Sequence, residues 1–271
     1  MQILRYTAFS DDPHGGNPAG VVLDATGATE AQMLAVAAEV GYSETAFLIP
    51  RPDGEHDVRY FSPLAEVPFC GHATIATAVA HADRHGAGQL RLHTRAGLVP
   101  VSTTGRTATL VSVPPRTADL ADPDTLLDIL GWSRDDLDPA LPPRVAFAGA
   151  WHPVLAARTR ARLAKLDYDL GTLAALMAAH DWTTITLVHR ESDTVFHARN
   201  PFPPGGIVED PATGAAAAAF GGYLRSLGPA PDTITIHQGY DMGRPSMLTV
   251  HIPRDASVGI SVTGAAVPLP G

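Results

Sequence analysis

Two stretches decide how this chain is read: residues 61–82, FSPLAEVPFCGHATIATAVAHA, and residues 202–223, FPPGGIVEDPATGAAAAAFGGY. Laid over one another from Phe61 and Phe202, they also pair Pro63 with Pro204 and Val67 with Val208. Phe69 then meets Asp210, Cys70 meets Pro211, and Ala76 and Ala78 meet Ala217 and Ala219. Each stretch reads as the end of a strand, a Phe-x-Pro loop and an Ala-rich helix. An internal repeat of this kind predicts two similar lobes facing each other across a cleft. A helix of Ala, Gly and Thr can be enclosed by sheet on all sides. Gly71 and Gly214, at the helix starts, leave backbone N–H groups that suit an anion such as a carboxylate.

Outward from the repeat, residues 2–9 (QILRYTAF) alternate as a strand, and Thr29 reads as the N-cap of a helix over GATEAQMLAVAAEVGY. Residues 89–114 read as three short strands with Gly turns. The fold class expected is α+β, with two pseudo-symmetric lobes, each a curved, mostly antiparallel sheet or barrel around a central helix. The expected boundaries are an N-terminal lobe over 1–118, joined by a C-terminal strand within 258–271, and a C-terminal lobe over 145–257. The Pro- and Asp-rich span 119–144 reads as a linker.

Composition narrows the function. The 271 residues are 45% hydrophobic and 17% charged, with a net charge of −9. That balance argues against nucleic acid and anionic membrane as partners, since both need a basic surface. Lys165 is the only lysine, so Schiff-base chemistry would have to use it, at what reads as a surface helix end. A single cysteine, Cys70, rules out an internal disulfide, makes a Cys-rich zinc site untenable and fits a reducing cytoplasm. Neither a signal peptide nor a membrane span is expected. His81 and His85 share the i, i+4 spacing of a metal pair, but Ala82 stands where a zinc-protease glutamate would be. No metal and no cofactor is expected.

Five segments together carry a resemblance: GNPAGVV (16–22), SETAF (43–47), FCGHATIATA (69–78), EDPATGAAA (209–217) and HQGYDMGRPS (237–246). In order and spacing they resemble the phenazine-biosynthesis PhzF-like family, which has the diaminopimelate-epimerase-like fold. The resemblance implies a cofactor-free isomerisation that moves a proton between carbons. It also implies a small anionic metabolite as substrate and a homodimer.

The resemblance makes Glu44 the general acid/base. Taken alone, Glu44 could equally be a solvated turn residue, though Ala46 and Phe47 supply the apolar neighbours that proton-transfer carboxylates use. His72 is implied to place the substrate or to assist proton transfer; the alternative is a residue bonding locally at its helix start. Asp210 is expected as a third catalytic residue, accepting hydrogen bonds from substrate, a role compatible with helix capping. Ser43, Gly71, Ala73, Thr213, Gly214 and Ala215 are expected to line the site, with Gln238 and Gly239 as a late contact. Ala215 replaces the Ser usual in phenazine-type relatives, which removes one hydroxyl donor. Asn17 and Pro18 read as a structural turn, and Glu209 as facing away.

Epimerases of the same fold use two cysteines, one at each helix start. Here the second position is Pro211, which has no proton to give. Cys70 is therefore expected as a lining thiol. A one-base amino-acid racemase and a non-catalytic small-molecule-binding protein stand as alternatives to the isomerase.

Overall fold

The computed structural model describes residues 1–270. Its chain divides into two compact units, Met1–Val111 with the strand from Val262 onward, and Ser112–Ser261.

The first unit contains β1 (Leu4–Ala8), β2 (Asn17–Val22), α1 (Glu30–Val40), β3 (Glu44–Pro50), β4 (His56–Phe61), β5 (Glu66–Val67) and α2 (Gly71–His85). The strands β6 (Gln89–Thr94), β7 (Gly97–Thr104) and β8 (Thr107–Val111) follow. The second unit contains β9 (Arg116–Asp119), α3 (Pro123–Ile129), β10 (Arg144–Phe147), β11 (Trp151–Ala156), α4 (Arg160–Ala164) and α5 (Leu170–His180). It continues with β12 (Thr186–Arg190), β13 (Val195–Phe202), β14 (Ile207–Asp210), α6 (Gly214–Ser226), β15 (Thr233–Gln238) and β16 (Ser246–His251). The last strand, β17 (Ser261–Pro268), returns to the first unit.

In the first unit the strands close on themselves in the order β1, β2, β3, β4, β6, β7, β8, β17 and back to β1. Closure removes free sheet edges. The pairings β1–β2, β2–β3, β3–β4, β4–β6 and β6–β7 alternate antiparallel, parallel, antiparallel, parallel, antiparallel. In the second unit β10–β11, β11–β12, β12–β13, β13–β15 and β15–β16 follow the same sequence of senses. The repeat read from two helices is thus a repeat of whole topology. Both parallel steps in each unit are bridged by helices, as a parallel pair requires.

Eleven of the 15 residues of α2, and ten of the 13 of α6, are buried. Small side chains let sheet approach these helices from every direction, which is why neither has a solvated face over its first turns. Phe47 and Phe61 meet edge-to-face at 5.6 Å and pack with Met33 and Ala37 of α1.

The expected linker is corrected. Leu120, Leu126, Leu127, Leu130, Trp132 and Leu137 are all buried in the core of the second unit. The Pro and Asp residues that suggested a linker are helix-start signals: Asp122 caps α3 by accepting from the Thr125 N–H, and Pro123 takes the first helical position. Among the described residues no helix is long and apolar enough to cross a membrane.

Candidate active site

In the first unit, β2 and β3 lie parallel with Ala19 opposite Glu44. Their approach is close at Gly20, where a Cβ would fall 2.4 Å from Thr45 Oγ1, so the backbone there needs glycine. Asn17 opens β2 and Glu44 opens β3. Ahead of β3, α1 is held by a reciprocal capping box between Thr29 and Gln32 and ends at Gly41. Ser43 and Glu44 therefore come straight off a fixed helix end.

Cys70 precedes α2 in an extended conformation, with φ −144° and ψ 116°, and its side chain caps no N–H. The Thr74 hydroxyl donates to the Cys70 carbonyl at 2.6 Å, so the Tyr60 hydroxyl, 2.6 Å from Thr74 Oγ1, must be the donor in that pair. Burial pushes the Tyr60 phenol up, which keeps that donor protonated. Tyr60 on β4 thereby ties down the first turn of α2.

His72 is the hub. Asn17 Nδ2 donates to its Nδ1 at 3.0 Å, which leaves Nε2 to carry the ring proton in the neutral form. That Nε2 lies 3.3 Å from Glu44 Oε2 and 3.4 Å from Ser43 Oγ. Cys70 Sγ is 3.4 Å from Nδ1 and 3.8 Å from Nε2. Glu44, Cys70 and His72 are exposed by only 8%, 8% and 5%, so these groups meet with little competing water. Among the described residues no arginine or lysine lies within ion-pair distance of Glu44. One acid, one imidazole, one hydroxyl and one thiol can pass a proton among themselves.

The second unit builds something different ahead of α6. Thr213 Oγ1 donates to Asp210 Oδ2 at 2.6 Å. Gln238 Nε2 donates to the Asp210 carbonyl at 2.8 Å and to Thr213 Oγ1 at 3.0 Å, while its Oε1 accepts from Thr213 N at 3.1 Å. Gln238 thus braces the loop with both ends of its amide, and the Thr213 N–H is already spoken for. Gly239 follows with φ 77°, and a Cβ there would fall 2.7 Å from the Pro211 carbonyl. Gly214 is buried, whereas Ala215, beside it, is half-buried. Glu209 is held by Arg199, whose Nε donates to Oε2 at 2.9 Å, with a second bond from Nη2 to Oε1. Arg199 Nη1 also donates to the Ala164 carbonyl at 2.6 Å.

The sequence-predicted residues therefore form two groups. Ser43, Glu44 and His72, with Gly71 and Ala73 at the start of α2, belong to one unit; Asp210, Thr213, Gly214, Ala215, Gln238 and Gly239 belong to the other. Sequence reasoning missed Asn17 as the partner of His72, and it missed Tyr60 and Thr74 as the support of the Cys70–Gly71 turn. The Arg199–Glu209 pair, ten positions apart across the antiparallel strands β13 and β14, was also missed. The pair His81 and His85 sits with His56, at ring separations of 4.5 and 5.3 Å. Burial and the neighbouring imidazoles push His81 down to about 4. Among the described residues only Glu44, Cys70 and His72 bring three ligand atoms within 4.8 Å of one another.

Comparison with known proteins shows the family and the fold. The family model described as "Phenazine biosynthesis-like protein" matches residues 6–270. The chain belongs to this phenazine biosynthesis-like family. It is 30% identical to an uncharacterized isomerase of Bacillus subtilis, covering 98% of this chain and 96% of that one. It is 32% identical to the trans-2,3-dihydro-3-hydroxyanthranilate isomerase of Pseudomonas chlororaphis, covering 89% and 86%. The crystal structure of a Bacillus anthracis PhzF-family protein superposes with a TM-score of 0.89 at 26% identity, over 100% and 98% of the two chains. This family member is accordingly an enzyme of the isomerase class, with the mixed α+β fold expected from the sequence.

Proposed function

We propose that the chain is a cofactor-independent isomerase that moves a proton between carbons of a small carboxylate-bearing metabolite, with Glu44 as the general acid/base. The observation that carries this reading is the buried Glu44 carboxylate set against His72 rather than against an arginine. Other shielded acids here, Glu66 and Glu209, are each clamped by arginine and are poor proton carriers. Glu44 takes a proton from one substrate carbon and returns it to another, so the overall reaction is proton-neutral. His72 Nε2–H stabilises the carboxylate while it is charged, and Ser43 fixes the ring from the same side. The N-terminal end of α2, which the Cys70 side chain does not cap, suits a substrate carboxylate.

One-base racemisation has an observation in its favour too, the Cys70 thiol 3.4 Å from His72. The two readings separate in one experiment. Small carboxylates are screened by thermal shift, because a ligand that binds only the folded chain raises Tm. Hits are then incubated in D₂O and followed by NMR. Glu44→Gln should keep the thermal shift and lose exchange by about 10²- to 10⁴-fold. Unchanged exchange in Glu44→Gln would sink the assignment, and exchange confined to the α-carbon of amino acids would favour the racemase.

A further inference from the structure

We infer that Glu44, Cys70 and His72 form a binding site for a zinc-class divalent ion, and that the bound ion reversibly blocks proton transfer. The inhibitory half rests on the function proposed above; the binding half does not.

Distances make the case. Tetrahedral zinc, with Zn–S of about 2.3 Å and Zn–N or Zn–O of about 2.0–2.1 Å, needs S···N near ~3.6 Å and N···O near ~3.3 Å. Here Cys70 Sγ to His72 Nε2 is 3.8 Å, and Nε2 to Glu44 Oε2 is 3.3 Å. All three ligand atoms lie within 4.8 Å of one another, and because Sγ now stands nearer Nδ1, at 3.4 Å, the thiol swings toward the Nε2 side as the metal binds. Thiolate, imidazole and carboxylate together select zinc over magnesium or calcium, which prefer oxygen alone. Ser43 Oγ, 3.4 Å from Nε2, stands where it can hydrogen-bond a water in the fourth position.

The protons balance without any redox change. As the metal–sulfur bond forms, the Cys70 S–H proton leaves to solvent. As the metal–nitrogen bond forms, the imidazole proton moves from Nε2 to Nδ1. The Asn17 amide must then turn by half a rotation so that its oxygen accepts from Nδ1–H, the usual partner of a metal-bound histidine. Glu44, once a ligand, is no longer a free base.

Two other histidine groups serve as controls. His56, His81 and His85 cluster on the first unit, and His189, His197 and His237 line up across β12, β13 and β15. Neither brings three ligand atoms together as the Glu44 cluster does.

The test titrates cobalt(II), a spectroscopic stand-in for zinc, into the metal-free full-length chain. One equivalent should produce tetrahedral visible bands and a near-ultraviolet thiolate-to-cobalt band, and zinc should bleach both. Cys70→Ser should lose the near-ultraviolet band. Glu44→Gln, a second variant whose folding does not depend on the thiol, should keep the band but weaken binding by about tenfold or more. His197→Asn should match the parent. Absence of a thiolate band at one equivalent, or its survival in Cys70→Ser, overturns the site. If the band forms and bound zinc leaves deuterium exchange unchanged, the inhibitory half is overturned. If no band forms while Glu44→Gln still abolishes exchange, the metal site fails and the base assignment stands.

Discussion

Cys70 is the N-cap of α2, followed by Gly71 and His72; the N-cap of α6 is Thr213, with Pro211 and Ala212 ahead of it rather than in the place of Cys70. The two units repeat one order of strand pairing, but Cys70 directly precedes α2 whereas Pro211 stands three residues before α6, so loop and side chains both differ. The first turn gathers an acid, an imidazole and a thiol around one ring nitrogen. The second turn has its acid bonded to Thr213 and its amide bonded back to the loop. The function proposed above divides labour between the copies: the first carries the groups given to proton transfer, and the second carries groups bonded to one another in its loop. Each copy does retain an arginine–glutamate clamp between the strands before its central helix, Arg59–Glu66 across β4 and β5 and Arg199–Glu209 across β13 and β14.

The sharpest break of this comparison swaps one acid in each unit. Glu44→Gln should lower turnover by about 10²- to 10⁴-fold with ligand binding retained. Asp210→Asn should act mainly on KM, with kcat changed by no more than about tenfold, because its neighbours hold it as a binding group. Equal losses of kcat in both variants would mean that the labour is not divided.

The clamps come next. Arg199 and Glu209 are both buried, at 8% and 7% exposure. Arg199→Met leaves the Glu209 charge buried without its partner, which should cost about 3–5 kcal/mol of unfolding free energy. Arg59 is more exposed, and Glu66 keeps Arg95 as a second partner, so Arg59→Met should cost about 1 kcal/mol. Urea unfolding of both variants measures the contrast, and similar losses would show the two clamps to be equivalent.

Much of this arrangement was legible in the sequence. Period and composition identified the two enclosed helices, because only small residues allow burial on every face. Glu44 came from the family resemblance of the 43–47 motif, because taken alone a carboxylate after a helix reads equally as a solvated turn residue. Asn17 was not legible as a partner of His72: a GGNPAG turn looks the same whether its asparagine shapes a loop or orients an imidazole 55 positions away. The 119–144 span misled because Pro and Asp signal both linkers and helix starts. Long-range pairing decides between such readings, and single-sequence patterns carry little of it.

Acid should find the second unit through a residue with no counterpart in the proton-transfer cluster. His152 on β11 is fully buried, with Nδ1 2.9 Å from Thr184 Oγ1 and no partner at Nε2. Burial pushes it from 6.5 down to about 4. Between those values the unfolded chain binds the proton and the folded chain does not, so stability falls as pH drops through that window. The loss is at most about 3 kcal/mol, and none of it is felt above pH ~6.5. His152→Leu should flatten the slope of unfolding free energy between pH ~4 and ~6.5. A slope unchanged in that variant would place the acid sensitivity elsewhere.

The smallest effect sharpens the comparison most, because it alters one proton's address within the first unit. Asn17 donates to His72 Nδ1 and so holds the ring proton at Nε2, facing Glu44. Asn17→Asp keeps the size of the side chain but offers only acceptors, which draws the ring proton to Nδ1. Nε2 then presents a lone pair to the Glu44 carboxylate, and the stabilising N–H is gone. Turnover should fall by about tenfold, as for the loss of a partner that orients a working imidazole. The ¹⁵N shifts of His72 report the change directly, since protonated and bare ring nitrogens resonate far apart. A tenfold loss with the tautomer unmoved would make Asn17 a packing residue after all. A moved tautomer with full activity would show that Glu44 works without help from the ring, and the hub of the first unit would shrink to a single carboxylate.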